Sequence, residues 1–266
     1  MTIQETARAL VHRGKGILAA DESNRSAEKR LSSVGVESTE DTRRAYRDLF
    51  LGADGVEEYL SGVILYDETL RQNNWDGVPF LRVLADKGIL PGIKVDLGSV
   101  PLPGFPDEET TQGLDGLPER LREYAELGAR FTKWREVIRI GEGIPTPESI
   151  HTHAVTLARY ARMVQDAGMV PMLEPEVLLE GAHSMERARE VTTWAVSHMF
   201  YQCVRYRVDL TGVILKTSMI LPGNHSGEER GAEEIADDRK IRLPDVFKQH
   251  RPRFQFFEDT GDLVSF

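Results

Sequence analysis

An α/β fold of the barrel type, built on parallel strands, is what this 266-residue chain predicts. Three observations carry that expectation. Short apolar runs rich in Val, Ile and Leu recur along the chain, amphipathic stretches with helical spacing separate them, and charged residues stand at or near the C-terminal end of every run.

The runs are GILAA (16–20), GVIL (62–65), GIKV (92–95), FTKW (131–134), MVPML (169–173) and GVIL (212–215). Near-continuous apolar runs of this length read as strands buried on both faces, as in a parallel sheet. Their starts lie roughly 30–46 residues apart, long for a minimal strand–helix unit and suited to a decorated barrel.

Helices are expected at 26–34, 38–51, 78–88, 117–128, 146–168 and 185–206, where apolar residues follow a 3.6 spacing. Thr146 before Pro147 and Glu148 is a strong helix start, and Gly35, Gly88, Gly128 and Gly168 each follow a helical stretch as helix-ending glycines do. No linker or low-complexity tract divides the chain. One barrel domain is expected over 1–236, followed by a differently patterned tail over 237–266.

The charges are Asp21 and Glu22, Asp67 and Glu68, Lys94 and Asp96, Lys133 and Arg135, Glu174 and Glu176, and Lys216. Charges belong badly inside a sheet. A parallel barrel gathers all strand C-termini on one face, where such groups can pair, meet solvent and act on a ligand.

Composition narrows the partners. With 40% hydrophobic residues the chain has enough for a sizeable core, while a net charge of -10 sets the surface against nucleic acid and anionic membranes. An anionic ligand must meet a local cluster of cations. Apolar stretches reach only four or five residues and the first ten lack the apolar centre of a signal peptide, so no membrane span and a cytoplasmic location are expected. The single Cys203, in YQCVRY, reads as a small buried hydrophobe on a helix. The closest histidines, His151 and His153 in IHTHAV, point to different faces of what reads as a surface helix, and no nucleotide-binding glycine motif occurs. Neither a metal nor a cofactor is expected.

A lysine at the end of an apolar strand is costly unless paired or neutral, and a neutral amine is what carbonyl addition needs. Lys94, Lys133 and Lys216 all hold such positions. If they converge, Asp21, Glu174 and Glu176 can move protons while the remaining cations hold phosphate, which points to imine chemistry on an anionic carbonyl compound. A purely structural set of buried Lys–Glu pairs is the alternative.

Seven ordered segments then carry a resemblance: GKGILAADES (14–23), GVILYDETLRQ (62–72), GIKVD (92–96), TTQGLDGL (110–117), FTKWR (131–135), VPMLEPEVL (170–178) and GVILKTSM (212–219). Together they resemble the landmarks of class I fructose-bisphosphate aldolases. That resemblance implies a (β/α)8 TIM barrel that reversibly cleaves fructose 1,6-bisphosphate to dihydroxyacetone phosphate and glyceraldehyde 3-phosphate without metal. It implies Lys216 as the imine-forming nucleophile, Glu174 as general acid–base, Lys133 as a neighbouring cation, and Asp21 as the group that takes the C4 hydroxyl proton. Ser23, Ser26, Arg30, Arg43, Lys94 and Arg135 match positions near substrate hydroxyls or phosphate, and Glu176 supports the lysine network. From their helical, charge-rich contexts alone, a solvated face is as good a reading of Arg30 and Arg43. Trp134 reads as core. Phosphorylated ketoses and trioses are the implied partners and a homotetramer the implied assembly.

Beyond Gly223 the resemblance fades. The Ser-Gly-Gly and Tyr-Gly-Arg segments of the family's last two strands are not found, and only 253–257 could add a short strand, so the barrel is expected to be incomplete, with six strands. Arg25 and Leu97 also depart from the family pattern, one adding and one removing a cation. A truncated or frame-shifted reading, a natural short variant, or an insertion with deletion would each account for the tail. An inactive remnant or interaction protein, or another imine-forming barrel, are the competing functions.

Overall fold

Thr2 starts the first helix. Its hydroxyl accepts from the Glu5 amide at 3.2 Å and the Glu5 carboxylate accepts from the Thr2 amide at 2.8 Å, a reciprocal cap. The computed structural model describes residues 1–238, so the strand expected at 253–257 and all of the tail beyond Asp238 lie outside the described residues. In chain order the elements are α1 (Ile3–Leu10), β1 (Gly16–Ala20), α2 (Asn24–Ser33), α3 (Glu40–Leu51), β2 (Leu60–Leu65), α4 (Asp67–Leu70), α5 (Phe80–Asp86) and β3 (Leu90–Lys94). They continue with β4 (Ser99–Pro101), β5 (Glu109–Thr111), α6 (Leu117–Leu127), β6 (Phe131–Ile138), α7 (Pro147–Asp166), β7 (Val170–Val177), α8 (Met185–Arg205), β8 (Ile214–Leu215) and α9 (Ala232–Asp238).

These elements form two compact units. The first comprises Met1–Val95, Pro118–Lys133 and Ala167–Val170; the second comprises Asp96–Leu117, Trp134–Asp166 and the described chain from Pro171 onward. Because the segments interleave, no linker in the sequence marks the division.

In the first unit β1, β2, β3 and the start of β6 lie side by side, all parallel, with Ala19 opposite Ile64, Ile64 opposite Gly92 and Gly92 opposite Phe131. Val63, Ile64, Leu65 and Ile93 are all fully buried, as strands covered on both faces require. Gly92 has a packing reason: a Cβ there would stand against the edge of the Phe131 ring, far inside van der Waals contact. Ser61 donates to the Leu10 carbonyl at 2.6 Å and so ties α1 to β2.

In the second unit the later part of β6, then β7 and β8, continue a parallel arrangement; the Leu178 amide donates to Ile138 and the Lys216 amide to Leu173, both at 2.9 Å. The long helices α7 and α8 pack together. Ile138, Ile150, Val177, Met185, Val191 and Ile220 build a buried core. Gln165 closes the turn before β8, donating to Asp209 and Gly212 carbonyls and accepting from the Asp209 amide.

All six expected strands and all six expected helices are present, and the start of α9 falls in GAEEIADD. The glycines at 35, 88, 128 and 168 all have positive φ, the left-handed conformation that ends a helix. Cys203 is buried and its thiol is pushed up to about 12 by that burial, which makes it inert near neutral pH.

Several boundaries need correction. β6 and β7 run on to Ile138 and Val177, so Lys133, Arg135, Glu174 and Glu176 lie inside these strands rather than at their ends. Strand alternation explains it: one face of each strand carries the charges, so charge does not stop the strand. The last strand begins at Ile214, because Leu210–Gly212 form a 3-10 turn. The helix holding IHTHAV is not a surface helix throughout; His151 is exposed, whereas His153 is buried and its Nε2 lies 2.6 Å from the Glu109 carbonyl oxygen. Helix α1 and the β4–β5 hairpin were not expected, the hairpin strands being three residues each.

Candidate active site

Asp21 directly follows β1, where the strand ends and Ser23 caps α2 through the Ser26 amide at 3.4 Å. Its carboxylate accepts a 2.7 Å hydrogen bond from Lys133 Nζ, and both side chains are about nine-tenths buried. Lys94 stands opposite Lys133 in the register of β3 and β6, so the two lysines occupy neighbouring positions on adjacent strands. A buried carboxylate held by an ammonium is fixed in direction, which is what a proton acceptor needs.

Around this pair the first unit arranges more charges. The Glu22 carboxylate forms ion pairs with Arg47 at 2.6 Å and with Arg30 at 3.0 Å, and Arg47 donates a hydrogen bond to the Glu22 carbonyl at 2.9 Å. Arg47 is buried at 3% exposure and was not singled out from the sequence, where its position in the charged helix 40–51 hides it. Arg43 makes a two-pronged contact with Glu68 at 2.8 and 2.7 Å, while Asn24 donates to the same carboxylate at 3.1 Å. Glu68 therefore holds the Arg43 guanidinium firmly protonated, and Arg43 holds the Glu68 carboxyl below the usual carboxylate range. Ser23 and Ser26 hydroxyls are 3.2 Å apart. Arg30 and Arg43 are thus each engaged with a carboxylate.

In the second unit Lys216 emerges from β8, its amide anchored to Leu173, and its Nζ donates to Glu174 Oε1. Glu174 is 4% exposed whereas the Lys216 side chain is 30% exposed, so the amine is reachable and its carboxylate partner is shielded. Two residues along β7, Glu176 accepts from Arg135 Nε. The Arg135 side chain is 40% exposed, placing a guanidinium where an anion can meet it. Chemically this unit offers an accessible amine with an adjoining proton carrier, together with a cation at the surface.

Beneath the charged face of β6 lies Glu136, missed from the sequence. Strand alternation puts it opposite in direction to Lys133 and Arg135, and it is fully buried. Trp134 Nε1 donates to it at 2.9 Å, the Thr111 amide donates at 3.1 Å, and His153 Nε2 stands 3.7 Å away. Burial is the largest cause pushing its carboxyl up to about 8. Trp134 is core, as expected, packed against Tyr160 with ring centroids 5.4 Å apart. Among the described residues no helix is long and apolar enough to cross a membrane.

The model of the family "Fructose-bisphosphate aldolase class-I" matches residues 2–243. A probable fructose-bisphosphate aldolase class 1 of Xanthomonas campestris is 51% identical over 241 residues, covering 91% of this chain and 72% of that protein. A cytosolic fructose-bisphosphate aldolase of Arabidopsis thaliana is 46% identical over 229 residues, covering 86% of this chain and 63% of its own length. Among solved structures, fructose-bisphosphate aldolase from Plasmodium falciparum superposes with a TM-score of 0.88 at 41% identity, over 92% of this chain and 72% of that one. The fold is therefore α/β of the TIM-barrel type, incomplete among the described residues, which supply six parallel strands. On this sequence and structural similarity together, the chain belongs to the class I fructose-bisphosphate aldolase family.

Proposed function

We propose that this chain is a lyase that cleaves fructose 1,6-bisphosphate to dihydroxyacetone phosphate and glyceraldehyde 3-phosphate through an imine on Lys216. The observation that carries the proposal is the contact of the reachable Lys216 amine with the shielded Glu174 carboxylate. Glu174 takes a proton from the amine, and the neutral nitrogen adds to the C2 carbonyl of the ketose. The same carboxyl returns a proton to the carbinolamine hydroxyl, water leaves, and a protonated imine remains.

Asp21, held by Lys133, is the group assigned to take the C4 hydroxyl proton. As that O–H bond breaks, the C4 carbonyl forms, the C3–C4 bond breaks, and its electron pair enters the iminium to give an enamine. Glyceraldehyde 3-phosphate departs. Protonation at C3 and hydrolysis of the imine release dihydroxyacetone phosphate and restore the amine. The positively charged nitrogen is the electron sink, so charge developing in the transition state meets a fixed opposite charge. Lys94, Arg135, Ser23, Ser26, Arg30 and Arg43 are assigned to substrate hydroxyls and phosphates, and Glu176 to orienting Arg135. The barrel domain is assigned to 1–236, the tail to 237–266, the location to the cytoplasm and the assembly to a homotetramer.

A second reading is an aldolase remnant that forms the imine without turning over; the fading of the family's motifs beyond Gly223 favours it. One experiment separates the two. The chain is incubated with dihydroxyacetone phosphate, reduced with borohydride and digested, and cleavage of fructose 1,6-bisphosphate is followed in parallel. A reduced adduct on the Lys216 peptide together with cleavage supports the lyase. An adduct without cleavage selects the remnant, and no adduct on Lys216 removes the imine mechanism.

A further inference from the structure

Two histidines far apart in the chain meet on the outer side of the α7–α8 pair. His151 is in the first turns of α7 and His198 lies about two turns before the C-terminal end of α8. His151 Nδ1 lies 3.1 Å from His198 Nε2, with the ring centroids 5.4 Å apart and the planes tilted by 57°. On the other side His198 stacks on Tyr201, centroids 6.1 Å apart and planes 27° from parallel, so its ring has a fixed support. His151 is exposed and His198 partly so.

We propose that His151 and His198 form a two-imidazole site for a borderline divalent transition-metal ion, of which zinc is the test case. The geometry sets the class of ligand. Two nitrogens each about 2.0–2.1 Å from one ion are roughly 2.9 Å apart at a right angle and roughly 3.3 Å apart at the tetrahedral angle. The observed 3.1 Å lies between them. Imidazole nitrogens favour zinc, copper or nickel over magnesium or calcium, which prefer oxygen donors. Among the described residues no group of three or more His, Cys, Asp or Glu side chains is set to hold a metal. The protein thus supplies two ligands, and water completes the shell from the exposed side. A net charge of -10 favours a cation at the surface.

The site plays no part in the imine chemistry. Its consequence is mechanical: an ion bound by one residue from each helix clips α7 to α8, and because the unfolded chain lacks the pair, binding raises stability with the logarithm of the ion concentration above its Kd. The competing state is a plain imidazole–imidazole hydrogen bond, in which one ring nitrogen donates to the other.

The test titrates the metal-free full chain with zinc chloride by calorimetry and follows thermal unfolding with and without zinc. The expected result is saturable binding of one ion per chain and a Tm that rises with zinc but not with magnesium. His151→Asn and His198→Asn each weaken zinc binding at least about tenfold, since even loss of a residue that only supports a ligand weakens a site that much. Each variant also loses the zinc-dependent rise in Tm while its metal-free Tm stays near the native value. Absence of saturable binding overturns the proposal, as does binding that is equally tight in both variants. Should either variant fail to fold, copper loaded on the native chain gives the answer by electron paramagnetic resonance. Coupling to two nitrogens supports the site; coupling to fewer overturns it.

Discussion

Lys133 and Asp21 form a 2.7 Å ion pair with both side chains about nine-tenths buried. In such surroundings each charge depends on the other, because removing one leaves its partner desolvated and uncompensated. Lys133→Met alone is expected to destabilise the chain by about 3–5 kcal/mol, and Asp21→Asn to do so by a smaller amount because the amide oxygen can still accept from Lys133. The double variant Lys133→Met with Asp21→Asn should lose less than the sum of its singles, yet recover no cleavage activity. Urea unfolding of the three variants beside a turnover assay checks this. Additive losses would mean that the two charges do not interact across the pair.

Lys216→Arg keeps a cation beside Glu174 but cannot form an imine. Its stability should lie close to the native value, its reduced adduct with dihydroxyacetone phosphate should vanish, and cleavage should fall by about four orders of magnitude or more, as loss of a covalent nucleophile does. Mass mapping after borohydride reduction and a coupled turnover assay read both effects. Retained cleavage would require a different nucleophile.

Gly92 faces Phe131 across β3 and β6, and a methyl group there would overlap the ring. Gly92→Ala should therefore destabilise by about 1–3 kcal/mol, the range for an overpacked core. Pairing it with Phe131→Leu, which opens the space, should cost less than the sum of the two single changes. Because Lys94 is two residues further along the same strand, the single variant is also expected to raise KM more than it lowers kcat. Denaturant unfolding together with steady-state kinetics tests both parts.

The strand and helix order was legible because the parallel strands contain short apolar runs and several helices carry their own stop signal, such as Gly128 or Gly168. The ends of β6 and β7 were not, since Lys133, Arg135, Glu174 and Glu176 look like strand termini in a linear reading. They are instead one face of a longer strand, and the face behind them holds Trp134 and Glu136. The candidate site was legible in its residue types and in the motifs that carry them. Its pairing was not: Lys133 reaches a carboxylate 112 positions earlier in the chain, a contact between strand neighbourhoods that only the fold defines. The same holds for His151 and His198, which lie on different helices, and for Arg47, whose burial depends on Glu22 arriving from the end of β1.

Glu136 makes stability depend on pH in a direction opposite to most carboxylates. Burial is the main cause that pushes its carboxyl from 4.5 to about 8; hydrogen bonds from Trp134 and Thr111 oppose the shift and the charge of Asp96 adds to it. Since the folded value is raised, the folded chain keeps a proton that the unfolded chain has released at any pH between those two values. The contribution of Glu136 is therefore fully present below about pH 4.5 and is lost as pH rises through about 8. His153 is lowered from 6.5 by burial, so its contribution is present above 6.5 and lost only as pH falls below that. Between pH 6.5 and 8 the two are separable, because His153 is neutral in both states and Glu136 alone changes. Glu136→Gln stays neutral at every pH and still accepts from Trp134, although it meets the Thr111 amide less well. The native chain should be the more stable of the two near pH 6, and that advantage should shrink steadily as pH rises to about 8. Urea unfolding of both proteins across this range measures it, and a stability difference that does not change with pH would show that the buried carboxyl is ionised throughout.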